Sequence, residues 1–237
     1  MNDDGRYIGR DLEVLAGLPR YYNWIFQTFH PYIFGAGIEF GPGLGTNSAL
    51  MRSELSNLDL VEPSPSLVKS LRLRFAGDPG VQIFEADVES FVSSEPQRHY
   101  DTIILVNVLE HLQDDLTVVD AFYRMLRPRG HLLLFVPALP MLFSRIDEYY
   151  GHKRRYTVPQ LTQLAIRAGF EVPLACYFDV LGVVPWYLLN KIGGNIQFNP
   201  FLTSMYDAVG VPITRWIESY IRPPFGKNIC MAARKPE

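Results

Sequence analysis

Two groups of residues have the types and spacing to do chemistry. The first is Ile38-Glu39-Phe40-Gly41-Pro42-Gly43-Leu44-Gly45-Thr46-Asn47, with three glycines spaced two apart and an acid two residues before the first. Glycine is required where the backbone takes φ > 0 or approaches a ligand with no Cβ in between. Such a turn offers bare N–H groups and a helix N-terminus to whatever binds above it. The second group is titratable: Glu110-His111, and then Asp147 with Gly151-His152-Lys153-Arg154-Arg155-Tyr156. Histidine changes charge near neutral pH, so His111, and after it His152, are the candidates for taking a proton from a reacting group. Two plainer readings stand beside these: His111 fixing its own turn, and residues 145–156 as a solvated loop with Arg–Asp pairs.

These residues must be positioned by alternating strands and helices. An apolar run ending at Phe40, the glycines and the helix-compatible stretch 46–55 read as strand, tight turn, helix. The strand 58–61 ends at Glu62-Pro63, and Glu62 lies 17 positions beyond Gly45. An acid at that place can take both ribose hydroxyls of an adenosine cofactor in a charge-assisted contact. Ser64 or Ser66 can cap the helix 67–75, and the strand 81–84 leads to Asp87-Val88. The strand 102–106 ends at Asn107-Val108, and the helix 116–126 is stopped by Arg127-Pro128-Arg129-Gly130. The strand 131–136 is apolar from Leu132 onward, as a strand covered on both faces should be. Thr157 caps a helix to Ala168, 170–178 is a further strand, and the last strand spans 228–233.

Glu39-Phe40-Gly41-Pro42-Gly43-Leu44-Gly45 resembles motif I of the class I S-adenosylmethionine-dependent methyltransferases. The dinucleotide fingerprint would need glycine at Thr46. The turn Asn107-Val108-Leu109-Glu110-His111 is similar to that family's fourth motif, and the glycine, acid, acid and Asn/Glu-His signals come in its order. The resemblance implies S-adenosylmethionine as cofactor. Gly41, Pro42, Gly43 and Gly45 would pass its amino-acid end and Glu39 would help hold its ammonium. Glu62 and Pro63 would lie at the ribose, Asp87 and Val88 at the adenine, with Asn107 and Val108 beside them. It implies an α/β, Rossmann-like three-layer sandwich: a mostly parallel seven-stranded sheet with an antiparallel strand 7 reached from strand 6 by a short hairpin. Here Asp179 to Arg222 stand in place of that hairpin and read as a helical insertion between strands 6 and 7. Residues 1–30 would form a helical cap, 31–178 and 223–237 the core, and 179–222 an aromatic lid. The expected activity is methyl transfer to an O, N or C atom of a small molecule. The Gly-His-x-Arg-Arg-Tyr segment resembles a bacterial subgroup often found beside glycosyltransferases, which points to bulky apolar or lipid- or sugar-linked acceptors. The alternative is a catalytically idle, cofactor-binding interaction domain. In ubiquinone-type O-methyltransferases a Glu stands where Asn107 does, so Glu110 and His111 alone leave a hard cation too few oxygens. No metal is expected.

Composition narrows the rest. The chain has 237 residues, 48% of them hydrophobic, and a net charge of −3 with no basic block, so a nucleic-acid surface is not implied. Met1–Arg10 is polar, unlike a signal peptide, and no apolar run is long enough to span a membrane. Cys176 and Cys230, far apart in sequence, fit a reducing, cytoplasmic compartment. The helix 12–29 carries Tyr21 and Tyr22, which either line a lid over the site or pack on the sheet. Acceptor contacts are expected from Tyr21, Tyr22, Arg155, Tyr156 and Trp186. Helices at 180–191 and 201–220 would cover the acceptor pocket, form a dimer interface or lie on a membrane surface. The chain is expected as a monomer or homodimer.

Overall fold

A computed structural model describes residues 17–94 and 98–237. The N-terminal helix is α1 (Pro19–Phe29); the expected frayed residues 1–10 and the first turn from Leu12 lie outside the described residues. Strands β1 (Ala36–Phe40), β2 (Asn57–Glu62), β3 (Val81–Glu85), β4 (Tyr100–Val106), β5 (Leu126–Pro137), β6 (Glu171–Phe178) and β7 (Asn228–Arg234) form one sheet in the order β3-β2-β1-β4-β5-β7-β6. The first five pair in parallel, while β7 runs antiparallel between β5 and β6. The strand order steps outward on both sides of β1 and β4, so the carboxyl ends of those two strands flank the crevice where an open α/β sheet binds its ligand.

The period-two alternation of each strand divides the core. Ile38, Phe40, Ile103, Leu105, Leu132, Leu134, Met231 and Ala233 face one way. There they meet α4 (Val88–Ser94), α5 (Asp115–Met125) and α7 (Val158–Arg167). Leu58, Leu60, Ile104, Leu133, Phe135, Cys230 and Ala232 face the other way, against α1, α2 (Thr46–Met51) and α3 (Pro65–Arg74). This is the expected three-layer sandwich.

Local chemistry sets the ends of these elements. Thr157 and Gln160 form a reciprocal capping box on α7, as the sequence suggests. Ser64 sits at the N-cap of α3, but its hydroxyl pairs with that of Ser66 and caps nothing. Arg127–Gly130, expected to stop the helix before it, follows the end of that helix at Met125 and also opens β5. The C-terminal tail makes this segment a strand edge: Arg129 N–H donates to the Lys235 carbonyl at 3.0 Å, and Lys235 N–H to that of Gly130 at 2.9 Å. Cys176 and Cys230 are cross-strand neighbours in β6 and β7, both with free thiols.

Between β6 and β7 lie α8 (Val183–Pro185), continued by a π-helical stretch Trp186–Ile192, and then α9 (Pro200–Met205). A second π stretch, Tyr206–Gly210, joins α9 to α10 (Val211–Tyr220). Asp179, in the left-handed region at φ 67°, turns the chain from β6 into this insertion. Its carboxylate takes the Tyr206 hydroxyl and an ion pair from Lys227 at 3.0 Å. Asp207 accepts from Tyr21 N–H at 2.9 Å and Arg20 N–H at 3.2 Å, supplying the first turn of α1 with the acceptor that Leu18 cannot offer. Tyr21 is therefore in the core, its hydroxyl donating to Asn228 at 3.0 Å.

Phe178 closes this region. It stacks on Trp24 at 3.8 Å between ring centroids and meets Tyr21 and Phe135 edge-on. Phe178→Ala is expected to cost about 3–5 kcal/mol, read as a lower urea midpoint with little change in slope. A loss below about 1 kcal/mol would show that the aromatic cluster does not anchor α1 to the sheet.

Candidate active site

The glycine turn has the backbone its composition requires. Gly41, Gly43 and Gly45 all lie in the left-handed region, at φ 63°, 57° and 74°. A Cβ on Gly41 would come 2.5 Å from Val108 Cγ2, so the turn after β1 and the turn after β4 are in direct contact. The turn rests on two buried acids. Glu62 accepts from Gly43 N–H at 3.1 Å and from Ser64 N–H at 3.0 Å, which fixes its carboxyl beneath the middle of the turn. Glu39 takes the Ser48 hydroxyl. Burial pushes Glu39 up to about 7, and the Ser48 bond only partly offsets it. Burial likewise raises Glu62, with its two backbone donors pulling the other way.

A carboxyl kept near neutrality inside the protein is held ready for a cation. Asn47, in the first turn of α2, adds a buried carboxamide oxygen with no partner. Sequence reasoning passed over Asn47, although its place directly after the glycines was the available signal. A ligand with a cationic amine and vicinal hydroxyls fits this donor set.

The remaining cofactor candidates line the same edge. Asp87 accepts from Ser90 N–H at 2.7 Å and Ser90 Oγ at 2.9 Å, capping α4, and stays exposed. Val88 is buried below it. Asn107 holds a left-handed φ of 54°, with its N–H on the Phe135 carbonyl at 2.8 Å. Pro42 is half-buried and Pro63 exposed.

The second cluster lies past β5, where α6 (Arg145–Tyr149) and the loop after it fold back on the β4 turn. Asp147 is its centre and is fully buried. It accepts from Ser144 N–H at 2.9 Å, from Arg155 Nε at 2.9 Å and at 2.9 Å from His152 Nδ1 in the tautomer that carries the proton there. Burial would raise its pKa, but the His152 bond and the Arg155 guanidinium outweigh that and lower it. His152 Nε2 points at Glu110 Oε1, 3.9 Å away. The His111 ring meets His152 edge-on, with centroids 4.7 Å apart.

Glu110 is fully buried with neither side-chain oxygen hydrogen-bonded, and burial pushes it up to about 7 against the pull of His152. Burial, helped by His152, depresses His111 to about 4. Glu110, His111 and His152 each bring one ligand atom within 4.8 Å of the others and could hold a cation between them. The expectation of no metal counted only Glu110 and His111; the fold adds His152.

Other predicted contacts are structural members of this wall. Arg155 also donates to the Ala138 carbonyl at 3.1 Å and lies over the Trp186 ring at 4.5 Å. Tyr156 donates to Asp115 at 2.9 Å. Trp186 Nε1 donates to the Leu142 carbonyl at 3.3 Å, and Phe198 stacks on Tyr150. Trp186 and Phe198 thus bring the insertion against the loop after β5. Tyr21 is in the core, as described, and Tyr22 is half-buried on α1.

Comparison with known proteins gives this geometry a family. A protein of Mycolicibacterium smegmatis, described as a probable S-adenosylmethionine-dependent methyltransferase, is 28% identical over 148 residues. That match covers 62% of this chain and 54% of the relative, so the chain spans about half the length of the curated protein it matches. An S-adenosylmethionine-dependent methyltransferase from Mesorhizobium loti superposes with a TM-score of 0.62 at 14% identity, over 91% of this chain and 98% of its own. The N-methyltransferase NodS of Bradyrhizobium japonicum, crystallised with S-adenosyl-L-homocysteine, gives 0.59 at 13% identity, over 92% and 86%. At such identities these structures share the fold. Residues 34–174, more than half of the chain, match the family described as a methyltransferase domain. With its sheet order and glycine turn, the chain belongs to the class I S-adenosylmethionine-dependent methyltransferases.

Proposed function

We propose that the chain transfers the methyl group of S-adenosylmethionine to an oxygen, nitrogen or carbon atom of a small, bulky and partly apolar acceptor. The observation that carries this is the pair of buried carboxyls, Glu39 and Glu62, under a left-handed glycine turn that touches Val108. Bound there, the cofactor supplies a methyl group already activated by a sulfonium. Glu39 faces its ammonium through the turn, and Glu62 takes the ribose hydroxyls with the lone pairs that Gly43 and Ser64 leave open. Asp87 and Val88 border the adenine, with Asn107 beside them. The protein's share of the work is alignment and exclusion of water, and Trp186 and Phe198 close the side facing the loop after β5.

An acceptor that must lose a proton needs a base. Geometry favours His152 over His111. Asp147 fixes the Nδ1 proton of His152, leaving Nε2 as acceptor, and ionised Glu110 stabilises the imidazolium that results. His111, at about 4, is neutral but weakly basic. The idle-domain alternative gains nothing from these groups. A cytoplasmic setting and a monomer or homodimer complete the proposal.

Three outcomes test this reading. First, Glu39 takes up protons below about 7 in the free protein, whereas the ammonium favours its carboxylate. Affinity for S-adenosylhomocysteine should therefore rise between about pH 6 and 8, with release of up to one proton, measured by calorimetry in two buffers. Glu62→Ala should weaken binding about 10–100-fold. Tighter binding of NADH would overturn the assignment.

Second, His152→Ala should lower kcat about 10²–10⁴-fold. Glu110 gains its charge as pH rises through about 7, so kcat should climb there, and the inflection should vanish in Glu110→Gln. A sole inflection near 4 would instead make His111 the base.

Third, Glu110 and His152 handle a proton in this reading and hold no metal with His111. Turnover should thus survive EDTA; loss restored by a divalent cation would assign the cluster to a metal.

A further inference from the structure

We propose that the outward face of residues 181–225, with the groove between α1 and α10, docks on an anionic lipid surface, a headgroup phosphate seating between Arg20 and Arg215. Of the 21 large hydrophobic side chains exposed among the described residues, 16 lie between Leu181 and Phe225. Scattered apolar residues on a surface need no explanation, but this concentration in under a fifth of the chain does. Its most exposed aromatic members are Phe201, Trp216 and Tyr220, exposed to 75%, 65% and 76%. Tryptophan and tyrosine are the side chains that suit the boundary between headgroups and acyl chains.

Charge on this face has one sign. The segment's acids, Asp179, Asp207 and Glu218, all serve the fold. Asp179 holds Lys227 and Tyr206, Asp207 serves the first turn of α1, and Glu218 accepts from Val180 N–H at 2.8 Å. Its cations, Lys191, Arg215 and Arg222, are exposed, Lys191 with its ammonium on the Phe143 carbonyl. Arg20 and Arg215 come together in an open cavity of about 440 Å³, lined also by Asn23, Val211 and Trp216. Arg215 donates to Gln27, and Arg20 reaches Asp207 only at 4.0 Å. The cavity thus presents two guanidinium groups beside an exposed indole, a fit for a phosphate with an acyl chain attached.

The sign of the charge decides the occupant. A second copy of this face would set Lys191, Arg215 and Arg222 against the same residues with no exposed acid of the segment to answer them. An anionic lipid surface answers every one. This docking does not depend on catalysis, so it stands or falls separately from the proposed methyl transfer.

The test is sedimentation of the full chain with phosphatidylcholine vesicles and with the same vesicles containing phosphatidylglycerol. The expected result is binding to the anionic vesicles alone, reversed by salt. Arg20→Gln and Arg215→Gln should each weaken binding about fivefold. Trp216→Ser combined with Tyr220→Ser should weaken it further. All variants should keep their S-adenosylhomocysteine affinity, which shows that the fold is intact. The proposal is overturned by equal binding to neutral vesicles or by none to either. It is also overturned by inorganic phosphate binding without vesicle affinity, or by a dimer in solution that Trp216→Ser dissociates.

Discussion

The contact between Gly41 and Val108 is the constraint on which the site depends. A side chain on Gly41 would collide with Val108 Cγ2 at 2.5 Å, so the turns after β1 and β4 can meet only because residue 41 has no Cβ. Once they meet, Gly43 N–H falls on Glu62, and the β2 terminus is tied to the same turn. Three strand ends are thus locked by one bare stretch of backbone. Burial then does the electrostatic work, keeping Glu39 close to its switching point and ready for a positive ligand.

The cluster around Asp147 and Glu110, proposed above to handle a proton, is built on a different principle. Asp147 is buried but richly donated to, by Ser144, His152 and Arg155. Glu110 is equally buried, with no hydrogen bond to its side-chain oxygens. One carboxyl is therefore held firmly charged and the other held near neutrality, with His152 between them. Environments that separate two carboxyls in this way are how a site obtains an orienting group and a switching group from the same residue type.

Much of this could be read from the chain because it is local. The glycine spacing, the acids at strand ends and the apolar run Leu132–Val136 of β5 all express short-range geometry, and the structure carries each of them. The alternation of Leu132–Val136 between two cores follows from the strand period alone. What could not be read was long-range. The Arg–Asp pairing within 145–156 is local and was legible, but nothing near Asp147 says that Glu110, 37 positions earlier, will be buried beside its partner His152. Tyr21 could not be placed from sequence, because its position depends on Asp207 and Asn228 near the other end of the chain. That β5 begins before residue 131 could not be read, because the tail that pairs with Arg129 and Gly130 arrives over a hundred residues later. The cysteines, remote in sequence, meet only because β7 inserts beside β6.

The most direct measurement is a crystal structure of the chain soaked with S-adenosylhomocysteine. The ribose hydroxyls are predicted on Glu62 and the amino group over the turn above Glu39. The sulfur's vacant methyl position should open toward His152 and Glu110. Density for the nucleoside anywhere other than over the glycine turn, or a sulfur directed away from that cluster, would contradict the account.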